Sequence, residues 1–130
     1  MPEEELSAAV RAFARECGSR RAVAAALRVG TPGDDLVIPD QEWYDDALRA
    51  DLVERALSCL DQPRPIAWLT RTGDCRLPQD ADHAWCAATT AAALRIGTEV
   101  DFFVVTRKGW MELRTGRSRQ WVRVRSAEPG

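Results

Sequence analysis

Ile66-Ala67-Trp68-Leu69-Thr70-Arg71-Thr72-Gly73 and Phe102-Phe103-Val104-Val105-Thr106-Arg107-Lys108-Gly109 share one pattern, a short apolar run that ends in Thr-Arg-x-Gly. Two apolar runs of this length, bounded by turn residues and separated by a helical segment, predict buried neighbouring strands. Their spacing suits a βαβ unit with parallel strands. Both tails then emerge at one edge of the sheet, where open α/β sheets bind ligands. Between the runs, Asp80 is placed to cap a helix with the apolar stripe Ala81, Trp85, Ala88, Ala92 and Ile96, and Gly97 is its stop.

On the C-terminal side, Arg107-Lys108-Gly109 reverses the chain and an alternating pattern follows. Met111, Leu113, Val122 and Val124 fall on one side; Trp110, Glu112, Arg114, Trp121, Arg123 and Arg125 fall on the other. Thr115 to Gln120 reads as the hairpin loop and adds Arg117 and Arg119. The outward face of this hairpin is therefore expected to be aromatic and basic. Ser126 to Gly130 is expected to be disordered.

On the N-terminal side, Leu6, Val10, Phe13 and Cys17 form one helical stripe, and Glu3, Glu4 and Glu5 complement the helix dipole. Gly18 ends that helix, and Ser19 is placed to cap a second one running to Val29. Gly30 to Asp35 is a loop by composition, and Leu36 to Pro39 reads as an extended segment or edge strand. Asp40 is the expected cap of a helix to Leu60. Its apolar positions 44, 48, 52, 56 and 60 advance by four, so it changes neighbours along its length or breaks near Ala50. Asp61 to Pro65 is a linker.

These elements predict one α+β domain over 1–130, with an acidic helical part in 1–62 and a sheet part in 63–125. The N-terminal helices pack on one face of a four-stranded mixed sheet, and the helix 81–96 covers the other. The expected strand order is 66–70, 102–106, 110–114, 121–125, with a right-handed crossover.

The stretch from Phe13 to Val29 resembles the first two helices of the Cro-type helix-turn-helix repressors, with Gly18-Ser19 opening the second helix and Leu27-x-Val29 closing it. The resemblance implies DNA reading by a recognition helix immediately downstream. There the sequence departs. Thr31 to Pro39 intervene, and the next helix carries Asp40, Glu42, Asp45 and Asp46, which oppose phosphate. An ordinary helical hairpin is the alternative.

The bulk numbers are those of a globular chain: 130 residues, 45% hydrophobic and 29% charged. No apolar run approaches the roughly 20 residues of a membrane span. Met1-Pro2-Glu3-Glu4-Glu5 is acidic where a secretory signal is basic, so a cytoplasmic location is expected, without membrane contact. Cys17, Cys59, Cys75 and Cys86 show no metal-binding or disulfide spacing and are expected to be reduced thiols, with no metal and no cofactor.

Charge is unevenly distributed. Residues 1–62 hold 7 Arg against 13 Asp and Glu, whereas residues 107–125 hold seven basic side chains against Glu112 alone. Such asymmetry points to an anionic partner for the C-terminal part. Arg71 and Arg107 with their hydroxyl neighbours suit a phosphate or carboxylate. Lys108, Arg114, Arg117, Arg119, Arg123 and Arg125 around Trp110 and Trp121 resemble a single-strand platform, in which bases stack and arginines track phosphates.

No catalytic residues are assigned. His83, the only histidine, reads as a residue of a helix first turn, and there is no serine elbow, phosphate-binding loop or dinucleotide fingerprint. The reading is a small binding protein for an anionic partner, nucleic acid ahead of a small phosphate. Its alternatives are an interaction module whose basic face is covered by a protein partner, a second copy or its own acidic residues, and a small enzyme working at the strand edge.

Overall fold

The computed structural model describes residues 3–121. Strand β3, Ile66–Thr70, and strand β4, Phe102–Thr106, are parallel neighbours, in register from Ala67↔Phe102 to Thr70↔Val105. They are joined by helix α3, Asp80–Ile96. Every residue of both strands is buried, because helices cover both faces of the sheet. Strand β5, Gly109–Glu112, runs antiparallel to β4, and β6, Ser118–Gln120, runs antiparallel to β5. The first three expected strands are present in the expected order, β5 ending at Glu112; β6 instead lies within 115–120, the stretch that the sequence reads as the hairpin loop. The expectations for Val122, Arg123, Val124, Arg125 and the 126–130 tail lie outside the described residues.

The expected four-stranded sheet has six strands. A hairpin of β1, Ala26–Thr31, and β2, Asp34–Pro39, adds to β3, giving the mixed order β2-β1-β3-β4-β5-β6. The helix expected over 19–29 is corrected accordingly, and with it the helix-turn-helix resemblance, since no second helix follows Gly18. Leu27 and Val29 point to the α2–α3 side and are buried there, while Arg28 between them points to the other face and is half-buried. Pro32 and Gly33 close a tight turn in which Gly33 has φ 97°. Pairing on both edges of β1 overrides the helical preference of the alanines before it. β2 is an edge strand, as its proline predicted.

Helix α1, Glu3–Cys17, lays Leu6, Ala9, Val10, Phe13 and Cys17 on Ile66, Trp68, Phe103, Val105 and Trp110. Helix α2, Asp46–Cys59, joins α3 on the opposite face, over Leu27, Val29, Ala67, Leu69, Phe102, Val104 and Met111. The expected placement of both N-terminal helices on one face is therefore corrected: α1 stands alone. α2 is unbroken at Ala50, and its buried positions are Ala50, Val53, Ala56 and Leu57. Its cap is Asp45, whose carboxylate accepts from Leu48 N at 2.8 Å, while Asp40 instead accepts from Trp85 Nε1 at 3.0 Å. Gln79 rather than Asp80 caps α3, in a capping box with Asp82, and Gly97 ends it with φ 74°. No helix among the described residues is long and apolar enough to cross a membrane.

Candidate functional site

Parallel pairing brings Arg71 and Arg107 to the same end of the sheet, and Arg71 N donates to Val105 O at 3.1 Å. Strand alternation then sends their side chains to opposite faces. Arg107 reaches the carbonyl of Arg20, in the segment after α1. Arg71 turns toward α3, where it is 3% exposed and meets the fully buried Asp82.

That contact is bidentate, Nε to Oδ1 at 2.7 Å and Nη2 to Oδ2 at 2.8 Å. The remaining donors hold the loop between β3 and α3: Nη1 gives to Thr72 O at 2.9 Å and Nη2 to Leu77 O at 3.1 Å, with Asp74 O at 3.4 Å from both. Asp82 also accepts from Gln79 N at 2.9 Å, so one ion pair fixes both the loop and the start of α3. Arg71 and Arg107 do not converge on one anion.

The hairpin residues also divide. Trp110 is 1% exposed, under α1 and edge-on to Phe103 with ring centroids 6.0 Å apart. Its neighbour Met111 is buried against the other core, so the outward position expected for Trp110 is corrected. Alternation separates inside from outside only when one face of a sheet is wet, and here both are covered. Arg117 lies over the Trp110 ring at 5.6 Å and pairs with Glu112 at 3.4 Å. Arg114 is exposed on the α3 side, near enough to Cys86 for its charge to act on the thiol.

Trp121, Lys108 and Arg119 come together. Trp121 is half-buried, its backbone N donates to Lys108 O at 2.7 Å, and the Arg119 guanidinium stacks over its ring at 4.8 Å. Gly109 allows β6 this close: a Cβ there would collide with the Arg119 carbonyl and lie 3.0 Å from Gln120 Cα. Trp121, Lys108 and Gln120 line an open recess, and Arg76 forms its remaining wall.

The sequence pattern does not single out Arg76. Its only signal is a position five residues after Arg71, in the loop that the buried ion pair secures. The exposed pair with Asp74, at 3.1 Å, holds the Asp74 carboxyl below the usual carboxylate range. On the far side of Arg119, a second recess is lined by Glu3, Glu4, Ser7 and Arg11 of α1. Arg123 and Arg125 lie outside the described residues.

The reactive inventory is otherwise sparse. His83 is exposed, and no cluster of three or more metal-binding side chains occurs among the described residues. All four cysteines are free: Cys17 and Cys75 are buried, Cys86 is half-buried and Cys59 is exposed. Burial pushes the thiols of Cys75 and Cys86 up, helped at Cys75 by the Asp74 charge.

A raised thiol value has a definite sign in stability. The contribution is intact below the ordinary thiol pKa of about 8.5 and is lost as pH rises through the raised values. The urea midpoint is therefore expected to fall from neutral pH to above the ordinary thiol range, and to fall less in Cys75→Ala/Cys86→Ala. Equal slopes for the two proteins would contradict this. In the native protein Cys59 is expected to label first and Cys75 only on unfolding.

No family model matches the chain, and no curated protein or solved structure is similar enough to count as a match.

Proposed function

We propose that this is a small binding protein that engages single-stranded nucleic acid at the strand-end recess of Arg76, Lys108, Gln120 and Trp121. The observation that carries the reading is the Trp121 ring, half-buried against the α1 side of the core at a recess that Arg76 and Lys108 also line, with Arg119 stacked over it. An aromatic ring of this kind stacks an unpaired base, and the surrounding cations attract the phosphates on either side. A duplex keeps its bases stacked and has no base to offer such a ring. Arg114, Arg123 and Arg125 extend the positive charge of the same part of the sequence.

A second reading, a protein-interaction module, is favoured by one observation: Trp43, ahead of α2, is 72% exposed. A titration with fluorescent single- and double-stranded oligonucleotides at several salt concentrations separates the two. The nucleic-acid reading expects preference for the single strand and a falling log K with log salt. Replacing Lys108 and Arg119 with alanine is expected to lower the slope by about 0.7 for each phosphate no longer neutralised. Equal, weak binding of both forms in low salt would favour the interaction module.

A further inference from the structure

Four of the five tryptophans have an evident occupation within the fold. Trp68 is buried in the α1-side core. Trp85, Trp110 and Trp121 each carry an arginine over the ring: Arg49 at 5.9 Å, Arg117 at 5.6 Å and Arg119 at 4.8 Å. Trp43 is the exception among the described residues, since it lies neither in the core nor under a cation. Its ring neighbour is Tyr44, edge-on at 81° with centroids 4.8 Å apart. At 72% exposed, the indole leaves most of its π surface to solvent. The segment that carries it is nevertheless pinned. Asp40 N donates to Ala25 O at 3.0 Å, Tyr44 N donates to Gln41 O at 3.2 Å, and Asp45 caps α2. Tyr44 in turn stands edge-on to Trp85 at 6.1 Å. An aromatic side chain presented from a pinned segment loses little freedom when a partner covers it.

The surroundings set the charge of what covers the ring. Between Arg28 and Arg49 the sequence holds no Lys or Arg, and Asp40, Glu42 and Asp45 flank the two aromatics. Asp46 is neutralised by Arg49 at 3.0 Å and drops out. Asp40 and Asp45 accept from the neutral N–H groups of Trp85 and Leu48, which leaves their negative charge in place. Exposed Glu42, next to Trp43 in the chain, makes no hydrogen bond or ion pair with another described residue. A phosphate is repelled here, and an apolar partner would have to desolvate the carboxylates. A cation is drawn by the ring face and by the carboxylates together. Arginine suits this pair best, because its planar guanidinium stacks on an indole while its N–H donors stay free for a carboxylate.

We propose that Trp43, with Tyr44 and Glu42, is a docking site for a basic segment of a partner protein, an arginine of which stacks on the exposed indole and pairs with the Glu42 carboxylate. The site is separate from the strand-end recess. The inference is independent of the nucleic-acid reading, and its test contains no nucleic acid.

The probe is a dye-labelled octa-arginine peptide, titrated with the full chain at low salt and followed by fluorescence anisotropy. Wild type is expected to bind it. Trp43→Ala and Trp43→Leu should each weaken binding at least about threefold, while Trp43→Phe keeps most of the affinity. Glu42→Gln should weaken it as well. Glu3→Gln/Glu4→Gln/Glu5→Gln, which removes acidic charge from α1, should bind like wild type. Because Trp43 is exposed, the unfolding midpoint of its variants should stay at the wild-type value. No binding by wild type overturns the proposal, as does wild-type affinity in Trp43→Ala. Wild-type affinity in Trp43→Leu overturns it too, since it indicates an apolar contact. An equal loss in the α1 variant would reduce the binding to general charge and also overturn it. Self-association abolished by Trp43→Ala would make a second copy the occupant, and would overturn docking of a separate partner.

Discussion

Asp82→Ala is expected to cost about 3–5 kcal/mol, because it strands the Arg71 guanidinium in a site with almost no solvent access. The loss has three parts. The bidentate contact disappears, the capping box of α3 loses its N3 partner, and the loop carbonyls of Thr72 and Leu77 are left to a cation without its counter-ion. Removing both charges is a different experiment. Arg71→Met with Asp82→Leu replaces the pair by apolar groups of similar size, a change that is often neutral or stabilising in buried sites. Here the loop keeps no substitute for the Arg71 donors, so the double variant is expected to fall between wild type and Asp82→Ala. Urea unfolding of the three proteins checks the order. An Asp82→Ala variant within about 1 kcal/mol of wild type would mean that the pair behaves as a surface one.

Trp110→Ala is expected to lose about 3–5 kcal/mol, the range for emptying an aromatic site in a packed core. The ring fills the space between α1, Phe103 and Arg117, and little of the chain can collapse into it. Trp110→Phe should be much milder. The indole Nε1 is buried without a hydrogen-bond partner, so phenylalanine gives up volume but also removes a desolvated donor. Thermal unfolding of both variants decides the matter. Near-equal losses would show that volume alone sets the cost.

Much of this architecture could be read from short patterns. The apolar runs of β3 and β4, the stripe of α1 and Gly97 after α3 are local signals, and each led to an element at that place. β1 was not legible because its strand character comes from its two neighbours. The alanines at 22 and 24–26 favour a helix locally, and only pairing with β2 and β3 reverses that preference.

The site was legible in part for the same reason. Lys108, Arg119 and Trp121 stand out because charge and aromatic content are visible in composition. Arg71 has the look of a ligand group, yet its partner is a carboxylate eleven positions away at the start of the next helix. Trp110 is buried against expectation because alternation shows which residues share a face and says nothing about what covers that face. Arg76 enters the recess through a loop whose path depends on the buried pair.

Trp121 is where the binding reading can be tested at a single side chain. Affinity for a single-stranded oligonucleotide, measured for wild type, Trp121→Phe and Trp121→Ala at one salt concentration, separates stacking from charge. Loss of one stacked base is worth about 1–3 kcal/mol, so Trp121→Ala should bind roughly 5- to 150-fold more weakly. Trp121→Phe should retain most of the affinity, and neither change should move the unfolding midpoint as Trp110→Ala does. Wild-type affinity in Trp121→Ala would contradict a base held in the strand-end recess.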